Sequence, residues 1–368
     1  MPGRRTVTAF SLGQALGAPL AVGIVGCGHV AHKHLAALRA IRQISVVGVC
    51  DHDPAAREAA ARTSGGRAYD DLSAMLRDQK LDVVHVLTPP QSHCELAVGA
   101  MRAGCHVLVE KPLAMTSREV DHIVSVARQA SVHLGVCHNF LFEPAVLRAL
   151  AMLRSGVLGR LIGVDIFWRI HHGGRNDRFR NSDWIRRLPG GVFQEVAPHA
   201  LYLQSMFLGR PRIVSVLAKR IGGEVVRGID ELRVLLEGDA SLGSVAISVH
   251  AEPHQASARI YGTEMSLVLD LTTNVIVKLR TKGTGRVAKL TRSADQSWQL
   301  LSGTLCNAVK TLTGRMRFGH ETLIRTFYAN LRNGVEPPVG AAQGRVVVAL
   351  LEEISAALTA TAPARAEA

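Results

Sequence analysis

The chain has 368 residues, 47% of them hydrophobic, which is enough for two domains with substantial cores. Lys and Arg (43) outnumber Asp and Glu (30), giving a formal net charge of +13. No run of five basic residues occurs and aromatics are only 4%, thin for base stacking, so the charge reads as solvated surface plus an anion-friendly cleft rather than a nucleic-acid face.

Residues 1–20 read as an N-terminal extension. Its twin arginines, Arg4 and Arg5, precede a mildly apolar run that passes into the first strand without a cleavage site, so a cytoplasmic protein is expected. From residue 21 the pattern alternates. "AVGIVG", "ISVVGVCD", "LDVVHVLTP", "CHVLVEK" and "VHLGVCHN" are short apolar strands. Between them, "HVAHKHLAALRAI", "PAAREAAARTS", "SHCELAVGAMRAG" and "SREVDHIVSVARQA" have helical spacing. Apolar strands alternating with amphipathic helices predict a doubly wound parallel sheet over residues 21–142.

The texture changes after that. "EPAVLRALAMLRSG" is one more helix, and "GGVFQEVAPHALYL" another. The strands "LIGVDIFWRI", "RIVSVLAKR", "ELRVLLEG", "GSVAISVHAE", "ASARIYG", "MSLVLDL" and "NVIVKLR" follow, several alternating apolar and polar. A mostly antiparallel, open-sheet α+β domain is expected over residues 143–360. Its helical end comprises "WQLLSGTLCNAVKTL", "HETLIRTFYANLRNG" and "GRVVVALLEEISAALTA", and residues 361–368 read as a frayed tail. No stretch resembles a membrane span. The six cysteines (27, 50, 94, 105, 137 and 306) include no C-x-x-C pair and read as reduced thiols.

Gly26-Cys27-Gly28 sits at the first strand-to-helix turn. The first glycine permits a tight turn; the second lets a pyrophosphate approach the backbone at the helix N-terminus, and Ala31 takes the third fingerprint position. Asp51 ends the second strand, 23 residues past Gly28. A carboxylate there accepts hydrogen bonds from an adenosine ribose and repels a 2′-phosphate, which favours NAD; His52 beside it could assist a phosphate and keeps NADP open. The plainer reading of Asp51 is a helix cap, for which Asp53 is the better candidate.

These residues, with "TPPQSHCELAVGAMRAGCHVLVEKPLA" and "GVCHNFLFEPAV", resemble the glucose–fructose oxidoreductase / inositol dehydrogenase / MocA (Gfo/Idh/MocA) family from about residue 21 to the C-terminal helix. The resemblance implies an N-terminal Rossmann domain, a C-terminal open sheet, and hydride transfer between nicotinamide and a carbinol carbon of a sugar or cyclitol. It implies a cofactor site of Gly26, Cys27, Gly28, His29, Val30, Asp51, Thr88, Pro89, His93, Glu110, Lys111 and His138. Lys111 is the family's Glu-Lys-Pro lysine, expected near the nicotinamide, where an ammonium stabilises a developing alkoxide. Pro112 favours extended backbone at Lys111.

The family pattern Gly-Gly-x-x-x-Asp-x-x-x-His appears as Gly190, Gly191, Glu195 and His199, with glutamate for aspartate. The i, i+4 spacing puts Glu195 and His199 on one helix face; His199 is expected to pass a proton and Glu195 to orient it or to contact substrate. Asn139, Arg169 and Arg186 complete the expected substrate contacts, alongside Lys111, Glu195 and His199.

"RIHHGGRNDRFRNSDWIRRLPGG" is rich in arginine: Arg169, Arg175, Arg178, Arg180, Arg186 and Arg187, with Arg160 upstream. Bidentate contacts from such a loop suit an anionic substrate, a nucleotide sugar, sugar phosphate or uronic acid; a solvated or subunit-interface loop is the alternative. His171-His172 lacks a third ligand at metal spacing, His34 reads as helix packing near the cofactor, and no metal site is expected. The one-sided strands predict a homodimer or homotetramer through the C-terminal sheet. A non-catalytic, dinucleotide-bound regulator on the same fold is the alternative function.

Overall fold

The apolar runs of the first half become parallel strands. The computed structural model, which describes residues 19–170, 183–188, 190–221, 229–249, 251–280, 283 and 285–361, contains β1 (Leu20–Val25), β2 (Ile44–Cys50), β3 (Arg67–Tyr69), β4 (Val83–Val86), β5 (His106–Glu110) and β6 (Leu134–Cys137). They form one sheet in the order β3-β2-β1-β4-β5-β6, every pair parallel. That order reverses between β1 and β4, as a doubly wound dinucleotide fold requires. The connecting helices are α1 (Ala31–Arg39), α2 (Pro54–Ser64), α3 (Leu72–Asp78), α4 (His93–Arg102) and α5 (Ser117–Ala130). β3 and α3 go beyond the sequence reading: a three-residue edge strand and a two-turn helix carry little periodicity.

Helix starts are chemically marked. The Asp53 carboxylate accepts the Ala55 N–H at the start of α2 and that of Asp71 accepts Ala74 N–H in α3. Thr116 and Glu119 make a reciprocal capping box on α5. Val83, Val84, Val86, Val107 and Val109 are wholly buried, since helices cover both sheet faces. Each such side chain contributes roughly 1.5–3 kcal/mol relative to exposure.

The second half holds α6 (Pro144–Arg154), β7 (Leu161–Arg169), α7 (Asp183–Arg186), α8 (Gly191–Leu208), β8 (Arg212–Lys219), β9 (Glu231–Glu237), β10 (Leu242–Ser248), β11 (Gln255–Gly262), β12 (Ser266–Asp270), β13 (Val275–Leu279) and α9 (Arg286–Leu312). The seven strands run β13-β12-β11-β7-β10-β9-β8, antiparallel except β7 with β10. Alternation sorts the faces: Leu232, Val234 and Leu236 are buried, while Arg233 and Leu235 point the other way. α8 lies on the buried face, where Gln204 Nε2 donates to the carbonyls of Val164 (2.8 Å) and Ser244 (2.7 Å).

α9 begins twelve residues earlier than the apolar run at Trp298 suggested, because "RVAKLTRSADQS" has no helix breaker. None of its side chains is buried, and Trp298 is 66% exposed. α10 (Gly319–Arg332) and α11 (Ala341–Thr361) are the last helices among the described residues. The chain divides into two units: one runs up to His138 and includes His320–Arg345; the other comprises Asn139–Gly319 and the chain from Val346 onward. Among the described residues, no helix is long and apolar enough to cross a membrane.

His106 on β5 accepts the His133 backbone N–H at Nδ1 (2.9 Å), and burial, reinforced by the neighbouring His133, lowers its pKa to about 4. As pH falls, the unfolded chain therefore takes up this proton first. The contribution of His106 to stability is complete above its unfolded pKa of about 6.5 and declines as pH falls toward the folded value. In denaturant titrations, His106→Gln should lose less stability than wild type between about pH 7 and about pH 4.5. Equal losses would remove His106 from the acid response.

Candidate functional site

In the first unit, the expected cofactor residues gather at the carboxyl ends of β1, β2, β4, β5 and β6. Gly26 has φ +94°, and a Cβ there would lie 2.7 Å from the Leu87 carbonyl carbon and the Thr88 nitrogen. Backbone meets backbone at that point, so only glycine fits. Gly28 differs: a Cβ there would have nothing within 4 Å. The space above it lies beside the N-terminus of α1, whose first turn has no acidic residue, so an anionic phosphate group fits this turn.

Asp51 ties the loop to the second strand. Its Oδ2 accepts the Cys27 N–H at 2.6 Å and its Oδ1 the Asp53 N–H at 2.9 Å. Each carboxylate oxygen keeps acceptor capacity for a ribose hydroxyl. Asp53, not Asp51, caps α2. Burial, with the Asp51 and Cys50 charges, pushes the Cys27 thiol up to about 12; burial and the Asp51 charge do the same for Cys50.

His93 joins the two turns that follow. Its Nε2 is 2.8 Å from the Thr88 carbonyl and its Nδ1 2.8 Å from that of Pro112. Thr88 Oγ1 also accepts from the Ser92 hydroxyl at 2.7 Å. His93 thus binds the turn after β4 to the Lys111-Pro112 turn after β5, whose Lys111–Pro112 peptide is cis. The Lys111 N–H donates to Glu110 Oε2 at 3.1 Å. Glu110 and His138 are buried, and burial lowers His138 to about 3, leaving a neutral imidazole. His29 lies edge-on to His32, ring centroids 5.1 Å apart. The buried His34 contacts His85 and Glu110.

The second unit holds the other candidates around Tyr202, one turn along α8 from His199. His199 Nδ1 is 2.8 Å from the Tyr202 hydroxyl. That oxygen accepts the Phe140 N–H at 3.0 Å and donates to Asn139 Oδ1 at 3.3 Å. When its one proton is given to Asn139, the hydroxyl accepts from His199. In that arrangement Nδ1 carries the imidazole proton and the ring's lone pair sits on Nε2. Trp168 stacks on the His199 ring at 5.5 Å and Phe140 meets it edge-on at 5.0 Å, fixing its plane.

Glu195 is buried one turn earlier on the same helix. Arg169 is engaged by its own neighbours, Nη1 donating to the Glu252 carbonyl at 3.1 Å and the guanidinium lying 5.5 Å from the Phe167 ring centre. Arg160 and Arg187 are exposed. The Arg186 side chain, and residues 171–182 with His171, His172, Arg175, Arg178 and Arg180, lie outside the described residues. Tyr202 escaped the sequence reading; the i, i+3 spacing in "HALY" was its one local sign.

Comparison with known proteins shows the family. Residues 20–138 match the oxidoreductase family with an NAD-binding Rossmann fold, and residues 146–268 match the GFO/IDH/MocA C-terminal domain. A D-apiose dehydrogenase from Paraburkholderia graminis is 25% identical over 339 residues, covering 89% of this chain and 85% of its own. A dTDP-3,4-didehydro-2,6-dideoxy-α-D-glucose 3-reductase from Streptomyces violaceoruber is 28% identical over 254 residues, 68% of this chain and 72% of its own. In fold, the chain is similar to the WlbA dehydrogenase from Bordetella pertussis, solved with NADH and UDP-GlcNAcA: TM-score 0.76 at 21% identity, covering 93% of this chain and 96% of that one.

The two glycines should separate folding from binding. Gly26→Ala should lower the melting temperature by several degrees, since backbone on both sides must move. Gly28→Ala should melt like wild type and bind NAD at least about tenfold more weakly, a methyl group filling the phosphate space. Calorimetric NAD titration beside thermal melts checks both.

Proposed function

Because the chain belongs to the Gfo/Idh/MocA family of oxidoreductases, we propose that it moves a hydride between NAD and the carbinol carbon of a sugar derivative. Bound NAD supplies the hydride chemistry; everything else falls to side chains of this chain. Gly28 and the N-terminus of α1 receive the pyrophosphate, and the Asp51 carboxylate takes the ribose. Lys111, on a turn held by His93 and Glu110, stabilises negative charge on the reacting oxygen. His199 Nε2 takes the hydroxyl proton in oxidation and returns it in reduction. Tyr202 holds the imidazole through its Nδ1. This hydrogen-bond assignment at His199 carries the reading, because it places the imidazole proton on Nδ1 and the ring's lone pair on Nε2.

The substrate class follows from charge and kinship. We infer an anionic sugar, either a nucleotide sugar or a uronic acid. A relative named for a dTDP-linked deoxysugar falls within that class, while the one named for D-apiose, a neutral sugar, does not; the net charge of +13 favours an anion. The six free cysteines suit a reducing compartment, and we place the protein in the cytoplasm.

A panel of free sugars, uronic acids and nucleotide sugars, read by the absorbance of reduced nicotinamide, tests the activity. Lys111→Ala should lower turnover strongly with little change in NAD affinity. His199→Asn should lose roughly 10²–10⁴-fold in rate, and should lack a near-neutral limb of the wild-type pH profile. Tyr202→Phe should keep that limb and lose less. Full activity in both Lys111→Ala and His199→Asn would sink the mechanism and favour a dinucleotide-bound regulator.

We also propose a homodimer or dimer of dimers through the seven-stranded sheet. Its outer face presents Phe167 near the Arg169 and Arg233 guanidiniums, with Leu235 52% exposed beside them. Light scattering at micromolar protein should give at least twice the chain mass of 39.5 kDa. A monomer overturns the assembly.

A further inference from the structure

Four side chains from distant parts of the sequence converge inside the first unit. They are His34 on α1, Glu110 at the end of β5, Cys137 at the end of β6 and His320, where the chain re-enters the unit on α10. Each offers one donor atom, and the four atoms all lie within 4.8 Å of one another. His34 Nε2 is 3.2 Å from Glu110 Oε1, His320 Nε2 is 3.7 Å from the same oxygen, and Cys137 Sγ is 3.9 Å from His34 Nε2. A tetrahedral ion with bonds of about 2.0–2.1 Å to nitrogen and about 2.3 Å to sulfur sets ligand–ligand edges of roughly 3.3–3.6 Å. Three of the six edges are therefore within a few tenths of an ångström of a coordination shell, and the others, all within 4.8 Å, close on the ion by small side-chain shifts.

We propose that His34 Nε2, Glu110 Oε1, Cys137 Sγ and His320 Nε2 form a closed, four-ligand site for a divalent transition-metal ion of zinc type. Two histidines, a thiolate and a carboxylate are zinc donors, and the two anions balance the ion's charge in a buried place. Cys137 gives its proton to solvent on binding, so no charge is stranded.

The surroundings prepare the ligands. His34 Nδ1 is 2.9 Å from His85 Nδ1, and His85 Nε2 is 2.8 Å from the Tyr328 hydroxyl. When His34 Nε2 binds metal, its Nδ1–H donates to His85, and the His85 Nε2–H donates to Tyr328. That is the outer-shell pattern which fixes a ligating imidazole's tautomer. Without metal the same ladder runs backward: Tyr328 donates to His85, His85 to His34, and His34 Nε2–H to Glu110. The same contacts serve in both directions, so metal entry shifts protons along the ladder and leaves the Tyr328 hydroxyl as its terminal acceptor. Glu110 Oε2 meanwhile keeps the Lys111 N–H, leaving Oε1 for the ion. Four protein ligands leave no open position, which marks a structural site and not a catalytic one. The inference stands whatever the substrate.

The test uses tag-free full-length protein, stripped with a chelator and titrated with Co(II). One cobalt per chain should bind, with the intense visible bands of a tetrahedral ion and a near-ultraviolet thiolate-to-cobalt charge-transfer band. Zn(II) should then bleach both and raise the melting temperature above that of stripped protein. Cys137→Ser should lose the charge-transfer band while Cys94→Ser keeps it. His320→Ala, at a partly exposed position, serves if Cys137→Ser fails to fold. It should weaken Zn(II) binding by more than about 100-fold, since outer-shell losses alone cost roughly 10–100-fold. No saturable cobalt binding by folded wild type, or a charge-transfer band that survives in Cys137→Ser, overturns the site.

Discussion

The contact on which the first unit depends is made by a residue with no side chain. At Gly26 the chain leaves β1 and passes so close to the Leu87–Thr88 backbone that a single added carbon would lie 2.7 Å from it. That approach lets β1 and β4 end side by side where the sheet order reverses. The turn after β1 and the turn after β4 thereby share one edge. Gly28, Asp51, Thr88 and Lys111 all take their places from that edge. Loosening it would spread its damage from the phosphate turn to the lysine turn.

Histidine is the second organising residue. His93 spans two turns through two carbonyls, His34 and His85 share a hydrogen bond, and His199 is set by a tyrosine, a tryptophan and a phenylalanine. Burial lowers the pKa of His85, His93 and His138, and His85 and His93 act as bent connectors. An imidazole is suited to this: its two nitrogens point apart, and its proton can sit on either one. The interior stays polar without stranding ions, which apolar burial of lysine or arginine would do.

What could be read from the sequence was what local patterns encode. Strand-length apolar runs, the Gly26-Cys27-Gly28 turn and Glu110-Lys111-Pro112 are contiguous, and they located the parallel sheet and its carboxyl edge. Asp53 as the α2 cap followed from its position before Pro54. β3 and α3 were too short to show a period. Tyr202 was obscured by a helix that is apolar nearly all round, where one more aromatic residue looks like core. The His34–Glu110–Cys137–His320 cluster had no sequence signature at all. Its members are separated by 76, 27 and 183 residues, so only the crossover connections and the returning helix bring them together.

Cys27 lies between the two glycines that shape the phosphate turn, and its thiol is held at about 12 by burial and by the Asp51 and Cys50 charges. The protonated form is the one present at neutral pH, and a protonated thiol is a poor nucleophile toward peroxides and alkylating agents. Burial first, and the Asp51 carboxylate second, thus keep this sulfur protonated. With so little thiolate, its oxidation to sulfenic acid is slower than that of an ordinary accessible thiol.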